Sequence, residues 1–292
     1  MLRVRVPATT ANLGAGFDCI GAAFDWYDEL SLELTEDTRL EVVVTGEGAG
    51  QVPLDERHLV VKSLLRGLDE WGAERPGMVL RAHNTIPHSR GLGSSASAIV
   101  AGLALAWGIA HPGAELDLPE LLRLSSAIEG HPDNAGAAVY GGAILAWPDA
   151  HGVRLVELDV HHTLSAMVWV PDFECGTDEA RAVLPATVSR VDAVNQAIAA
   201  AALPLALTRR PDLLFDATGD VLHQRYRADL MRPSYDLMTR LRAIGVPAAI
   251  SGAGPTVIAV GDREILAAAA RCEADGFESR QLAFGKGVRI FR

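Results

Sequence analysis

The chain has 292 residues, 49% of them hydrophobic and 22% charged, which is ordinary for a folded protein of one or two domains. Its net charge of -11 argues against a nonspecific nucleic-acid binder or a protein that binds anionic membranes. Any site for a polyanion must therefore be locally positive. Three scattered cysteines without a CxxC pair disfavour a disulfide framework and a zinc site, and favour a cytoplasmic protein.

Hydrophobic periodicity and turn residues predict the elements of the first half in chain order. In that half we expect strands at 2–6, 30–34 and 40–45, a turn at 46–50, a helix at 60–68, a strand at 78–86, a glycine-rich loop at 87–95, and helices at 95–109 and 119–129. The apolar stretch from Ser95 to Ala110 is too short to span a bilayer comfortably, so we expect a buried helix there and no membrane segment.

The second half continues the mixture of strands and helices. We expect strands at 153–158, 164–170, 248–250, 256–260 and 287–291, and helices at 177–183, 190–201 and 235–244. A turn around Asp149 to Gly152 is the candidate boundary between two domains, 1–150 and 151–292. Strands and helices in both halves indicate α+β architecture.

Residues 87–96, Pro-His-Ser-Arg-Gly-Leu-Gly-Ser-Ser-Ala, carry the clearest chemical signal. Two glycines spaced two apart let backbone amides converge, and a helix starts directly after them with its positive end toward the same place. Hydroxyl groups at Ser94, Ser95 and Ser97 add donors. This pattern predicts a site for an oligophosphate.

Two other interpretations of this loop stay open on the residues alone. It is compatible with a plain glycine turn capping a helix, and Gly91 to Ala96 also satisfies the dinucleotide fingerprint G-x-G-x-x-A. Against a dinucleotide site, a Pro-His-Ser-Arg spacer precedes the first glycine, and the acidic residues Glu115 and Asp117 lie in a loop-like stretch. A Walker P-loop is excluded, because no lysine follows the glycines.

Three segments in order resemble the GHMP kinases, the family of galactokinase and mevalonate kinase. Residues 87–96 resemble motif 2, P-x-x-x-G-L-G-S-S-A; residues 7–18, with Asn-Leu-Gly-Ala-Gly-Phe-Asp, resemble motif 1; and residues 251–256, Ser-Gly-Ala-Gly-Pro-Thr, resemble motif 3. Motif 1 and the segments 129–134, 140–142, 177–181 and 223–227 most resemble the members that phosphorylate homoserine.

The resemblance implies a two-domain fold, with a ribosomal protein S5 domain 2-like N-terminal domain that binds ATP and a ferredoxin-like C-terminal domain. It implies a cytoplasmic, ATP-dependent kinase that uses Mg²⁺ and converts L-homoserine into O-phospho-L-homoserine for threonine biosynthesis. The sequence does not give the oligomeric state, and a homodimer is one candidate assembly. Two alternatives remain: a GHMP kinase for another alcohol, such as a mevalonate-pathway intermediate, and a catalytically silent nucleotide-binding regulator.

By the same resemblance, the nucleotide contacts fall on one loop and one histidine. They are Pro87, His88, Ser89, Arg90, Gly91, Leu92, Gly93, Ser94, Ser95, Ala96, Ser97 and His58. Glu129 and Ser95 would hold Mg²⁺, which prefers one or two carboxylates together with phosphate oxygens and water.

The resemblance also implies the substrate and catalytic residues. The substrate residues would be Asn12, Asp18, His131, Thr177, Arg181 and Arg227, and the catalytic set would be Glu129, Asn12, Asp133 and Asn134. Asp18 would pair with an ammonium group, while Arg181 and Arg227 would bind a carboxylate through paired hydrogen bonds. Without the family, Asp18 would be an Asx-turn residue and both arginines would be ordinary surface residues.

Two positions depart from the family pattern. His58 stands in an element where family members usually have Asn near adenine, and Arg225 stands where they commonly have Pro. An imidazole still offers one hydrogen bond to adenine. Loss of the proline leaves the backbone before Arg227 less constrained.

Overall fold

Strands from both ends of the chain pair in the larger of two sheets in the computed structural model, which describes residues 1–150 and 152–291. This seven-stranded sheet contains β1 (Leu2–Asn12), β2 (Gly16–Thr35), β3 (Leu40–Gly46), β4 (Gly77–Asn84), β5 (Ala143–Asp149), β6 (Gly152–Leu158) and β11 (Arg289–Phe291). The order is β11-β1-β2-β4-β3, with β5 pairing β2 and β6 pairing β5. β3 and β4 run parallel and the other pairs are antiparallel.

Four helices pack with this sheet: α1 (Leu59–Glu70), α2 (Ser94–Ala110), α3 (Leu118–Glu129) and α4 (Pro132–Tyr140). The core forms because α1 presents Val61 and Leu64 on one side, while α2 is apolar nearly all round and is buried. Gly130, with φ of 90°, ends α3, and Pro132 starts α4 two residues later. This tight link places the end of α3 beside the start of α4.

The smaller sheet contains β7 (Ser165–Pro171), β8 (Ala248–Ile250), β9 (Val257–Gly261) and β10 (Phe277–Leu282) in the order β10-β7-β9-β8. Its helices are α5 (Thr177–Ala182), α6 (Arg190–Thr208), α7 (Leu214–Ala217), α8 (Gln224–Arg227), α9 (Arg232–Ala243) and α10 (Arg263–Ala269). The antiparallel order of fourth, first, third and second strand agrees with the ferredoxin-like C-terminal part. The predicted two-part α+β fold is confirmed.

The expected boundary near residue 150 falls at the tip of a hairpin. β5 and β6 pair from Ala143 with Leu158 to Asp149 with Gly152, so strands on both sides of the boundary belong to the larger sheet. Positions 151 and 292, the limits of the second predicted domain, lie outside the described residues. By strand pairing alone, residues up to Leu158 and strand β11 would belong to one unit. The division at residue 150 stays a prediction.

Helix α6 is apolar on two opposite faces. Its buried face carries Gln196, Leu203, Ala206 and Leu207, and its exposed face carries Val191, Val194, Ile198, Ala201 and Leu205. By length and composition alone it could cross a membrane, with a mean hydropathy of 1.3 over 18 residues, of which 22% are buried in the fold. One such helix is weak evidence for a membrane segment.

Candidate active site

The turn between β1 and β2 joins the two halves of the molecule. Asn12 in this turn accepts a hydrogen bond from the Asp18 amide through its Oδ1 atom at 3.0 Å. Its Nδ2 group donates to the Gly252 carbonyl at 2.8 Å, and the Gly252 amide donates to the Ala11 carbonyl. Motif 1 and motif 3 of the sequence are therefore in direct contact.

The glycine loop reaches α2 through two residues in the left-handed region, Gly91 (φ 71°) and Gly93 (φ 68°). A Cβ atom on Gly93 would lie 1.8 Å from Thr9 Oγ1, and one on Gly91 would lie 2.3 Å from the Ser251 carbonyl oxygen. Both positions thus require glycine for conformation and for space. Gly93 caps α2, so the first amides of this 17-residue helix open into the adjacent cavity.

Arg90 contacts protein groups on the far side of the loop. Its guanidinium donates to the carbonyls of His88, Pro171 and Asp172, and it forms an ion pair with Glu174 at 3.1 Å. These contacts fasten the loop to the C-terminal half. Of the predicted nucleotide contacts, Pro87, Arg90, Ala96 and Ser97 line neither the cavity beside Gly91 and Gly93 nor the cavity beside His58. Pro87 and Arg90 instead line a separate cavity with Glu174. Ser97 instead donates to the Pro7 carbonyl at 2.6 Å.

Glu129 and Ser95 meet at the start of α2. The Ser95 hydroxyl donates to Glu129 Oε2 at 3.0 Å, which joins the last residue of α3 to the first turn of α2. Burial raises the pKa of Glu129, and nearby Asp133 adds to that effect. One carboxylate and one hydroxyl are oxygen donors of the kind Mg²⁺ takes beside phosphate oxygens, so the pair fits the predicted metal role.

The first turn of α4 contributes three polar residues. Asp133 is buried, and its Oδ1 atom lies 3.0 Å from His131 Nδ1 and accepts from the Asn134 amide at 2.7 Å. The hydrogen bond with Asp133 raises the pKa of His131. Asn134 accepts from the Thr9 hydroxyl at 2.8 Å, which ties α4 to β1. The three side chains are therefore held at fixed positions.

Asp18 and Arg181, two residues predicted to bind the charged groups of the substrate, form an ion pair with each other. Arg181 on α5 donates from both terminal nitrogens to the two oxygens of Asp18, each at 3.0 Å. Arg227 on α8 is 2% exposed, and it donates to the carbonyls of Ala180 and Gly252 at 2.9 and 3.3 Å. An acidic group and two guanidinium groups therefore lie together between the two halves of the molecule.

One cavity of about 180 Å³ is lined by every predicted catalytic and substrate residue: Asn12, Asp18, Glu129, His131, Asp133, Asn134, Thr177, Arg181 and Arg227. Ser89, Gly91, Leu92, Gly93, Ser94 and Ser95 line the same cavity, which places the glycine loop beside the charged residues. The sequence did not single out Cys175, Gly176 or Ala253, which also line it. Cys175 and Gly176 directly precede a predicted helix and Ala253 lies inside motif 3, and these positions were the sequence features that could have indicated them.

A second cavity of about 270 Å³ adjoins the first at Ser89, Ser94 and Ser95. It is lined by apolar residues together with His58 and His88, and the sequence missed its Asp28, Arg57 and Asn84. Among the described residues, the buried Nδ1 atom of His58 has no hydrogen-bond partner. A larger cavity of about 550 Å³ lies on the open face of the seven-stranded sheet and contains none of the predicted site residues.

Comparison with known proteins agrees with this geometry. Residues 58–142 match the GHMP kinases N terminal domain, and residues 199–276 match the GHMP kinases C terminal family. Homoserine kinase of Cutibacterium acnes is 51% identical over 99% of this chain and 99% of its own length. The chain belongs to the homoserine kinase family. Homoserine kinase of a Mycobacterium species is 48% identical over 97% of this chain and 93% of its own length.

Solved structures show the same fold for the homoserine kinase family and for more distant kinases. The crystal structure of homoserine kinase from Cytophaga hutchinsonii superposes with a TM-score of 0.87 at 26% identity, over 99% of this chain and 97% of that one. Leishmania major mevalonate kinase, solved with R-mevalonate, superposes with a TM-score of 0.68 at 18% identity, over 97% and 96% of the two chains. The second likeness shows the fold alone.

Proposed function

We propose that the protein transfers the γ-phosphoryl group of ATP to the hydroxyl oxygen of L-homoserine, producing ADP and O-phospho-L-homoserine for threonine biosynthesis. The observation that carries the proposal is one cavity in which an α-helix N-terminus, three carboxyl groups and two guanidinium groups meet. The family relatives support homoserine over the mevalonate-pathway alternative, since relatives at 48–51% identity are named homoserine kinase.

ATP would extend across both cavities. The base lies in the larger, more apolar one beside His58, whose unpartnered Nδ1 atom offers a hydrogen bond to adenine. The triphosphate crosses Ser94 and Ser95, where the amides of α2 and the helix dipole favour negative charge. The loop glycines allow the backbone to approach the phosphates closely.

Glu129 and Ser95 would hold Mg²⁺, and the bound ion would neutralise charge on the β- and γ-phosphates. On the acceptor side, Asp18 binds the ammonium group of homoserine, and Arg181 and Arg227 bind its carboxylate. The remaining predicted substrate residues line the same part of the cavity: Asn12, His131 and Thr177. Asp133 orients His131 and the first turn of α4, and Asn134 stays fixed on Thr9.

Transfer then requires mainly alignment of the homoserine hydroxyl with the γ-phosphorus, since phosphoryl transfer needs little covalent work by the protein. The bond from the hydroxyl oxygen to phosphorus forms as the bond to the ADP oxygen breaks, and the hydroxyl proton passes to an oxygen of the transferred phosphoryl group and from there to solvent. Amides of α2 stabilise the charge that develops on the transferred group. We propose a mechanism without a strong general base.

A coupled assay of ADP release tests this function, with L-homoserine, mevalonate and 3-aminopropan-1-ol as acceptors. Phosphorus NMR of the product identifies which oxygen carries the phosphoryl group. We expect turnover with L-homoserine and little with the other alcohols. Efficient turnover with mevalonate, or ATP binding without any transfer, would refute the proposal.

We also propose that the enzyme is a cytoplasmic homodimer in which α6 packs against α6 of a second copy. The exposed face has the three- and four-residue spacing that lets helices interlock, and no charged residue occurs from 193 to 208. Light scattering should give twice the 31.0 kDa chain mass, and Ile198→Glu should give a monomer. A monomeric wild type, or pelleting of wild type with lipid vesicles, would contradict this assembly.

A further inference from the structure

The turn between β1 and β2 adopts an unfavourable backbone conformation. Of the four described non-glycine residues with positive φ, three lie in this turn or beside it: Asn12 (72°) ends β1, Leu13 (43°) lies in the turn, and Asp18 (57°) is the third residue of β2. Left-handed conformations are costly for residues with a side chain, so the surrounding structure must hold them. Asn12 and Asp18, which flank this turn, are two of the residues assigned to the acceptor.

Two consecutive carbonyls of this turn accept hydrogen bonds from buried side chains of the C-terminal half. The Gly14 carbonyl lies 2.9 Å from His223 Nε2, and the Ala15 carbonyl accepts from Gln196 Nε2 at 3.0 Å. Gln196 also accepts from the Val221 amide through Oε1 at 3.0 Å. His223 is 0% exposed and Gln196 is 6% exposed, so neither bond has water as a substitute.

The partners of His223 determine its protonation. A carbonyl oxygen only accepts, so Nε2 carries the hydrogen toward Gly14. Nδ1 lies 3.2 Å from Arg227 Nη1, and because a guanidinium only donates, Nδ1 is the acceptor. Burial lowers the pKa of His223, while the buried Asp220 carboxylate, 3.5 Å from Nε2, opposes that effect. The ring stacks on Phe17 at 4.9 Å between centroids.

His223 therefore links two parts of the acceptor site. On one side it holds the turn at Gly14, four residues before Asp18, and on the other it holds Arg227. Arg227 in turn contacts the Ala180 carbonyl, next to Arg181. One buried imidazole connects the residue assigned to the ammonium with the residues assigned to the carboxylate.

We propose that His223 and Gln196 are positioning residues that fix the distance between the ammonium and carboxylate sites. The proposal rests on the function proposed above. Neither side chain lines the cavity, so both act through the turn and through Arg227. Misplacement of binding groups by about 1 Å is sufficient to lower catalytic efficiency strongly.

Four variants test this role. His223→Phe keeps the aromatic contact with Phe17 but removes both hydrogen bonds, whereas His223→Gln restores a donor and an acceptor. Gln196→Leu removes the second contact to the turn. Arg225→Ala is the matched control, because Arg225 lies two residues after His223, on α8, but pairs with Asp192 at the surface.

Steady-state kinetics for both substrates are the first readout. We expect His223→Phe to raise KM for L-homoserine at least about tenfold, since it leaves buried groups unpaired, with KM for ATP within about twofold. Gln196→Leu should raise KM for L-homoserine about threefold, and His223→Gln should recover most of the loss. A fall in kcat with both KM values unchanged would indicate a purely structural role and overturn the proposal.

Hydrogen exchange of the peptide spanning residues 11–18, measured without substrates, is the second readout. We expect faster exchange there in His223→Phe and Gln196→Leu, and unchanged exchange at residues 89–97. If wild type fails to phosphorylate L-homoserine, the proposed function fails, while the exchange data still decide whether these residues hold the turn. If His223→Phe does not fold, unchanged exchange and KM in Gln196→Leu overturn the proposal.

Discussion

Replacing Arg181 by alanine tests whether the site recognises a zwitterion. Two Arg181 nitrogens each lie 3.0 Å from an Asp18 oxygen, and the side chains are 44% and 37% exposed. At about 4 Å and an effective dielectric of about 20, a unit charge pair is worth about 4 kcal/mol before desolvation. Partial exposure places the net loss near the lower end of the 2–5 kcal/mol range, at about 2 kcal/mol. Arg181→Ala should therefore lose about thirtyfold in kcat/KM for L-homoserine.

The assay compares L-homoserine with 3-aminopropan-1-ol, which is homoserine without its carboxylate. Arg181→Ala should turn over the analogue about as well as wild type does, so its relative preference for the analogue rises. KM for ATP should stay within about twofold, because Arg181 lies at the acceptor end of the cavity. Arg271→Ala, an exposed arginine of the C-terminal half outside this cavity, is the control and should match wild type.

Equal phosphorylation of homoserine and the analogue by wild type would refute this reasoning. Arg181 and Arg227 would then lose their assigned role. The protein would still be a GHMP kinase, but its acceptor would be a different alcohol. The double variant Asp18→Asn with Arg181→Ala adds a further check. Because the two side chains contact each other, its loss should be smaller than the sum of the single losses in free energy.

Three further predictions concern the nucleotide, the metal and the pH dependence. Gly93→Val should abolish ATP binding measured by calorimetry in a variant that still unfolds cooperatively, because its Cβ would collide with Thr9; unchanged affinity would exclude the loop. Glu129→Gln should lower kcat at least about tenfold, with partial recovery at high Mg²⁺; normal turnover at limiting Mg²⁺ would exclude the metal role. Asp133 raises the pKa of His131 above its ordinary value of 6.5. The free energy of unfolding that wild type gains over His131→Gln should therefore be full below pH 6.5 and should decline as pH rises through the folded-state pKa. Equal gains in unfolding titrations at about pH 5.5 and about pH 9 would contradict this.

Periodic helices and glycine-dependent turns were predictable from the sequence. α1, α2 and α3 lie within about two residues of their predicted bounds, because each carries apolar residues at helical spacing and a clear stop signal. Gly91 and Gly93 have the positive φ that the loop pattern required. These features are local, so a short stretch of sequence contains the information.

Strands without alternation were missed in part, and four helices, α4, α7, α8 and α10, were not predicted. β1 continues past Pro7 to Asn12, and this part is buried on both faces, so no polar-apolar alternation marks it. α4 was missed because Gly130 and Pro132 indicate an end, although proline is also favoured as the first residue of a new helix. β10, Phe-Glu-Ser-Arg-Gln-Leu, is mostly exposed and has little apolar pattern.

Contacts between distant segments were beyond sequence reasoning. The pair of Asp18 and Arg181 joins residues 163 positions apart, and nothing local indicates that the two side chains touch. His223 and Gln196 have polar side chains of types that are usually exposed or half-buried. Both are buried here, where they form hydrogen bonds with backbone carbonyls of another segment. Family motifs identified the predicted site residues of the cavity and include His223, but they gave no sign of its contact with Gly14 or of any role for Gln196.

The net charge of -11 makes the source of positive potential at the phosphate site a specific question. Arg90, the cation inside the glycine loop, is engaged by carbonyls and by Glu174, so it does not supply that potential to the cavity. Backbone amides at the start of α2 remain, together with Arg181 and Arg227 at the acceptor end. Amide dipoles are fixed in place, so they stabilise developing charge without reorganisation. An acidic protein can thus bind a triphosphate without a lysine in its loop, provided that a cation offsets the charge of the half-buried Glu129.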